Sequence, residues 1–196
     1  MALKNRCGWC TSDPEYIAYH DYEWGVPIKN DQALFEMLVL ESFQAGLSWI
    51  TILKKRANFK SAFDQFDYNK IAKYDQSKVE ELMQNKGIVR NRMKIEATIK
   101  NARAFLAIQI THGSFSKYIW SFVNHKPIVN RYKKLTDVPA QTAISKTMAK
   151  SLKENGFSFM GPITCYAFMQ AIGLVNDHLT GCFKHPDNLY SLPTTS

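Results

Sequence analysis

Glu41-Ser42-Phe43-Gln44-Ala45-Gly46-Leu47-Ser48-Trp49 is the stretch around which this chain is organised. Ahead of it, residues 31–40 open on Asp31, a side chain suited to cap a helix. They continue with Ala33, Leu34, Phe35, Met37, Leu38, Val39 and Leu40, apolar on nearly every side. Such a segment predicts a helix through a core, with Glu41 closing the run. Counting in helical turns sets Glu41 on the stripe of Leu34, Met37 and Leu38, where another leucine is expected. A carboxylate there needs partners. One reading is a glutamate reaching past the helix end to solvent or to a lysine. The other is a binding group, because Gly46 permits close approach of a backbone or ligand, Trp49 offers a flat face, and Gln44 carries an amide that donates and accepts.

Upstream, Asp13-Pro14-Glu15 places a cap and a first-turn proline ahead of a short helix bearing Tyr16, Tyr19 and His20 within one turn of each other. Gly25 and Pro27 close it, leaving Trp9, Tyr16, Tyr19, Tyr22 and Trp24 crowded together. Aromatics at this density read as core, or as the lining for a flat ligand if Glu41 and Trp49 lie nearby. Downstream, helices are expected over 48–59, 67–73, 91–112 and 114–123, with a capping box at Ser77 and with Ile95, Ile99, Ala102, Phe105 and Leu106 buried on the long one. Residues 124–141 read as a loop, 142–155 as a helix stopped by Gly156, and 165–172 as a helix stopped by Gly173. No segment alternates as a strand does, so the fold class is all-α, with one domain over 1–183 and a poorly ordered tail over 184–196.

At 196 residues, 45% hydrophobic and 13% aromatic, the chain has enough apolar mass for a sizeable core. It shows neither a bilayer-length apolar run nor a signal-like start, which points to a cytoplasmic protein with no membrane partner. A net charge of +8 makes a polyanion a natural partner, because lysine and arginine release counterions from phosphates. The basic residues are spread over Lys54-Lys55-Arg56, 86–103, 131–134 and 146–153, which suggests a basic face and not a tail. The glycine turn of residues 156–164 feeds a helix N-terminus, suited to a DNA phosphate and equally to any sharp helix–helix corner.

The four cysteines, Cys7, Cys10, Cys165 and Cys182, are too scattered for a disulfide framework. His178 and Cys182, spaced i and i+4, can reach one ion, and Cys7, Cys10 and His20 are candidates for the remaining ligands. Buried histidine and free thiols are the alternative. A redox Cys-x-x-Cys lacks its strand–helix setting, and a zinc deaminase lacks its His-x-Glu.

Taken in order, Cys7-Gly8-Trp9, Asp13-Pro14, Tyr19-His20-Asp21, Glu23-Trp24-Gly25-Val26-Pro27, Leu34-Phe35-Glu36, Gln44-Ala45-Gly46-Leu47-Ser48-Trp49, Trp120-Ser121-Phe122-Val123-Asn124 and Gly173-Leu174-Val175-Asn176-Asp177-His178 form a pattern. That pattern resembles the bacterial 3-methyladenine DNA glycosylase I family, over about residues 6 to 182. The resemblance implies a helix-hairpin-helix DNA-glycosylase fold, with the DNA-binding hairpin at Gly161, Pro162, Ile163 and Thr164. It implies a structural zinc site joining the N- and C-terminal segments through Cys7, His20, His178 and Cys182, with Cys10 a bystander. It implies a lesion pocket in which Glu41 bonds the base, Trp49 stacks on it and Tyr19 adds a polar contact, with Trp9, Tyr16 and Trp24 as surrounding aromatics.

The activity implied is hydrolysis of the N-glycosidic bond of 3-methyladenine flipped out of double-stranded DNA, by a monomer without lyase activity. Asn176 sits where superfamily members acting on harder substrates carry an aspartate, Phe43 replaces a commonly polar residue expected at the pocket rim, and Leu47 is the candidate to fill the gap in the duplex. The rival readings are a non-catalytic helix-hairpin-helix DNA-binding protein and a metal-dependent hydrolase. The latter needs an open zinc position that two cysteines and two histidines would fill.

Overall fold

Capping side chains set the frame of the fold. In the computed structural model, which describes residues 4–189, Asp13 accepts from the backbone N–H groups of Glu15 and Tyr16 and so starts α1 (Pro14–Tyr22). The next helix, α2 (Asp31–Gln44), is capped by Asn30, one residue before the expected cap. Asp31 instead accepts from the N–H groups of Phe115 and Ser116 and from Gln109, so its charge serves a helix start more than eighty residues away. Nor does α2 stop at Leu40. It continues to Gln44 and puts Glu41 inside the helix, with its side chain buried.

After α2 come α3 (Trp49–Ala62), α4 (Tyr68–Ile71), α5 (Gln76–Gln84), α6 (Arg92–His112) and α7 (Phe115–Ser121). Asp75 caps α5 in place of the box expected at Ser77. Asn91 caps α6, and Gly113 ends it at φ +80°, a left-handed conformation that glycine adopts without strain. A two-residue strand β1 (Ile128–Val129) then precedes α8 (Ala143–Glu154) and α9 (Pro162–Ala171). A matching strand β2 (Val175–Asn176) and a last short helix α10 (Pro186–Leu189) follow. β1 and β2 pair in parallel, Ile128 with Val175 and Val129 with Asn176, a ladder too short to show alternation in the sequence.

α2 runs through the centre, packed by α3, α6, α7 and α9. Its Leu34, Phe35, Leu38, Val39, Leu40 and Phe43 are fully enclosed. At roughly 1.5–3 kcal/mol each, their burial contributes on the order of 10 kcal/mol before chain entropy, enough to carry one misfit carboxyl along the same helix. On α6 the expected Ile95, Ile99, Ala102 and Phe105 are buried, and so is Lys94, which its basic neighbours would assign to the surface. The N-terminal segment is stitched to the end of α9 by Gly25 N–H to the Gln170 carbonyl at 3.0 Å and Ile28 N–H to the Ile172 carbonyl at 2.9 Å. Beside them Gly173 adopts φ +70°, and a Cβ there would lie 2.4 Å from the Val26 carbonyl carbon.

The tail expected from residue 184 is held in place as far as 189. His185 is buried with Nε2 at 3.1 Å from the Asn130 carbonyl, Asn188 donates to the carbonyls of Thr180 and Cys182, and Asp187 pairs with Arg131. The remaining 190–196 lie outside the described residues. Among the described residues no helix is long and apolar enough to cross a membrane.

Candidate active site and metal centre

α1 and its flanks deliver Trp9, Tyr16, Tyr19 and Trp24 to a cavity of about 330 Å³, α2 delivers Glu41 and Gln44, and α3 begins on Trp49 at its wall. The six aromatic and acidic residues singled out in the sequence thus line one space. Their rings interlock: Trp9 lies 5.1 Å from Tyr16 and 5.0 Å from Trp24, and Tyr19 lies 5.2 Å from Trp49, centroid to centroid. Tilted contacts of this kind hold rings at fixed angles and leave faces and edges free for a flat guest.

Glu41 is the anomaly of that cavity. Its side chain is buried, its Oε2 has no hydrogen-bond partner, and burial pushes its carboxyl up to about 8. A solvated or lysine-paired glutamate would show none of this. Lys94, a buried lysine of α6 that packs at the C-terminal end of α2, spends its ammonium elsewhere. It donates to the carbonyls of Phe43 and Ala45 at 2.9 and 2.8 Å, closing the carbonyl end of α2, and burial lowers its pKa. The Tyr19 phenol is pushed well above its usual value, by burial first and by the nearby Glu41 second. A neutral or cationic flat molecule offering a hydrogen-bond donor would satisfy Glu41 in this setting.

Part of the lining was not foreseen. Leu135, Val138, Pro139 and Ala140 come from the segment between β1 and α8, where no periodicity marks them. Tyr166 and Gln170 of α9 reach the cavity together with Asp177, whose carboxylate accepts from Tyr166 Oη at 2.6 Å, Gln170 Nε2 at 2.8 Å and Asn130 Nδ2 at 2.7 Å. The neighbouring Asn176 does not line the cavity, and its Oδ1 accepts from the His178 N–H. Phe43, expected at the rim, is buried against Phe59 and Phe63.

At the mouth, α9 starts three residues earlier than the sequence suggested, with Gly161 as its cap residue and Pro162 in its first turn. No side chain caps this end, so its first N–H groups are open to an outside acceptor. Ile163 is exposed and lines the cavity, Thr164 is half-buried beside it, and Leu47 is exposed on the turn between α2 and α3.

Behind the aromatic wall, Cys7, His20, His178 and Cys182 bring one ligand atom each to within 4.8 Å of one another, all buried. Cys7 Sγ lies 3.6 Å from His178 Nδ1, and Cys182 Sγ lies 3.5 Å from His20 Nε2 and 3.6 Å from His178 Nδ1. A tetrahedral ion with ordinary metal–sulfur and metal–nitrogen distances sets its sulfur and nitrogen ligands about 3.5 Å apart, so the group fits a metal. The ring nitrogens facing away are engaged: His20 Nδ1 with Asp21, itself held by Arg6, and His178 Nε2 with the Trp24 carbonyl. Such outer contacts fix which nitrogen faces the ion. Hydrogen bonds from Cys7, His178 and His20 hold Cys182 down as a thiolate, while that contact and burial push Cys7 up. A divalent cation held between them would let both be thiolates. Cys10 stands outside the group, its thiol directed to the carbonyls of Thr11 and Tyr16.

Comparison with known proteins returns one answer. The family model described as Methyladenine glycosylase matches residues 9–185. DNA-3-methyladenine glycosylase 1 of Escherichia coli is 52% identical over 183 residues, spanning 93% of this chain and 98% of that protein. DNA-3-methyladenine glycosylase of Haemophilus influenzae is 53% identical over 180 residues, spanning 92% and 97%. Among solved structures, a 3-methyladenine DNA glycosylase I superposes with a TM-score of 0.91 at 53% identity, covering 93% of this chain and 100% of that one. A structure addressing 3-methyladenine recognition by 3-methyladenine DNA glycosylase I from Staphylococcus aureus superposes at 0.90 and 41% identity, covering 93% and 97%. Identity of this order over nearly the whole of each chain accompanies the same backbone, and the chain belongs to the methyladenine glycosylase family.

Proposed function

We propose that this DNA glycosylase excises 3-methyladenine from alkylated double-stranded DNA by hydrolysing its N-glycosidic bond, with the base flipped into the cavity between α1, α2, α3 and α9. The observation that carries the reading is Glu41, buried and with Oε2 unpartnered among aromatic rings. Methylation at N3 makes the nucleotide base a cation, which aromatic faces and a carboxylate favour over neutral adenine. Trp49 stacks on the base, Glu41 accepts from it, and Tyr19 adds a polar contact beside Glu41.

In the reaction, the C1′–N9 bond breaks with its electron pair going to the base, which leaves neutral. Water adds its oxygen to C1′ and releases a proton to solvent. The departing base is already activated, so no strong general acid is needed. Asp177, saturated by three donors, serves as a structural tie on the cavity wall. No lysine lines the cavity among the described residues, which supports a monofunctional enzyme without lyase activity.

We infer that α8, the turn before Gly161, and α9 are the helix-hairpin-helix element. Gly161, Pro162, Ile163 and Thr164 meet a DNA phosphate there and Leu47 enters the gap left by the base. The tetrad of Cys7, His20, His178 and Cys182 holds a structural zinc ion, whose four protein ligands leave no open position for hydrolytic chemistry. The enzyme acts as a monomer in the cytoplasm.

The test is incubation of the purified protein with methylated duplex DNA. Release of free 3-methyladenine with an unbroken strand is expected. Tight binding without base release would favour the non-catalytic DNA-binding reading, and an adduct trapped by borohydride would overturn the hydrolytic one.

A further inference from the structure

A buried lysine closes the end of α2, and what it closes is a turn that leaves the core. Lys94, in the first turn of α6, donates from Nζ to the Phe43 carbonyl at 2.9 Å and to the Ala45 carbonyl at 2.8 Å. Its partners are main-chain oxygens 51 and 49 residues away in the chain, so the ammonium ties the turn to the long helix α6. Beyond Phe43, Ala45, Gly46, Leu47 and Ser48 are exposed in succession before Trp49 is buried again. The turn's own main chain contributes Leu47 N–H to the Gln44 carbonyl at 2.6 Å. Gly46 stands at φ +83°, and a Cβ there would meet nothing within 4 Å.

Apolar burial therefore does not fix the shape of residues 45–48, and the Lys94 clamp takes that part. An ordinary helix end satisfies its last carbonyls with a closing glycine or with water. Sinking an ammonium into the protein for that purpose is costly, which calls for a gain beyond the two hydrogen bonds. One gain is rigidity in a turn with no packing of its own. The other is electrostatic: a helix C-terminus carries about half a negative charge, which repels a polyanion, and a cation seated among its carbonyls offsets it.

We propose that Lys94 is a positioning residue for base extrusion, holding the turn of residues 45–48 in the shape that carries Leu47 into the duplex and leaving recognition of the extruded base untouched. The inference rests on the reading that Leu47 enters the gap left by the base. With its ammonium buried and committed to two carbonyls, Lys94 acts through the turn and not on the DNA.

The test is a double-mutant cycle of Lys94→Met and Leu47→Ala, at a temperature where circular dichroism shows every variant folded. Each protein is assayed for single-turnover release of 3-methyladenine from methylated duplex DNA and for calorimetric binding of free 3-methyladenine. Lys94→Met should slow release by roughly tenfold to a hundredfold, the scale of a displaced catalytic geometry, while affinity for the free base is unchanged. In the Leu47→Ala background most of that loss should disappear, because both substitutions then disable one device. Release at the wild-type rate by Lys94→Met, the same loss in both backgrounds, or a matching loss of free-base affinity overturns the proposal and leaves Lys94 a cap that serves stability alone. If Leu47→Ala itself releases the base at the wild-type rate, the reading of Leu47 fails, and the role of Lys94 falls with it. If Lys94→Met does not fold, Lys94→Gln, which keeps an uncharged donor on a shorter stem, takes its place in the cycle. It should show the same pattern with a smaller loss, and a wild-type rate of release refutes the clamp.

Discussion

Replacing Glu41 by glutamine keeps the shape of the side chain and removes its proton equilibrium, so the cost of burying a carboxylate can be measured as a difference between two pH profiles. Burial holds the Glu41 carboxyl at about 8 in the folded protein against an ordinary 4.5. Below the ordinary value both folded and unfolded chains carry the neutral acid, and the wild type should match Glu41→Gln. As pH rises from 4.5 to 8, the unfolded chain ionises while the folded chain does not, so the folded state loses ground steadily. At 1.36 kcal/mol per pH unit, the wild type should fall behind the variant by about 3 kcal/mol at pH 7 and by about 5 kcal/mol above pH 8, where the difference levels off. Urea denaturation of both proteins between pH 4 and pH 9 reads this directly. Parallel profiles across that range would mean that Glu41 ionises as it would in water, and the argument for an unpartnered buried carboxyl would collapse. Catalysis should run the other way. The ionised carboxylate is the form that favours a cation, so wild-type kcat/KM for 3-methyladenine should climb with pH through about 8, while Glu41→Gln loses that climb. The variant should fall tenfold to over a hundredfold in kcat/KM, matching roughly 1.5–3 kcal/mol for one charge-assisted bond.

Metal analysis of the purified protein should find about one equivalent of zinc, and Cys7→Ser or Cys182→Ser should lower both zinc content and melting temperature while Cys10→Ser changes neither. Full zinc and an unchanged melting temperature in the first two variants would refute the tetrad. Lys94→Met should destabilise the fold by roughly 1–3 kcal/mol, because the Phe43 and Ala45 carbonyls lose their donor, and chemical denaturation checks it. Affinity for undamaged duplex DNA, measured by fluorescence anisotropy, should drop steeply as salt rises, and a flat dependence would argue against phosphate contacts at the basic surface.

How far the sequence could be read depended on whether a signal was local. Asp13 with Pro14, and Asn91 with Gly113, mark their helices because a cap acts on backbone within one turn. Asp31 misled for the same reason: its type suggests a local cap, while its partners Phe115 and Ser116 come from a distant helix. The stripe placing Glu41 among Leu34, Met37 and Leu38 was legible as a misfit, and burial turned the misfit into a site. Nothing in the pattern of Leu135, Val138, Pro139 and Ala140 foretold that an aperiodic segment would wall the cavity, since only the fold brings it there. The burial of Lys94 was hidden in the same way, because its basic neighbours face water and its acceptors are main-chain carbonyls that no side-chain pattern reveals. Of the tetrad, His178 and Cys182 were legible as a pair and Cys7 and His20 only as candidates beside Cys10, joined to the pair by a resemblance and then by the distances between them.

The tie between the first and last parts of the chain has a consequence for synthesis. Five of the aromatic rings lining the cavity with Glu41, those of Trp9, Tyr16, Tyr19, Trp24 and Trp49, belong to residues 9–49, yet the segment bearing Trp9 is anchored through Cys7 to His178, 171 residues later. A ribosome adding roughly 5–20 residues each second therefore needs on the order of ten seconds between making the pocket's rings and supplying the residues that fix them. Throughout that interval the nascent chain holds α2 and its aromatic neighbours without a finished cavity. A chain broken off before His178 and Cys182 emerge would keep most of the helices and yet leave Trp9 unanchored. Base excision would thus begin only with the completed polypeptide, and prematurely ended products would be inert toward DNA bases.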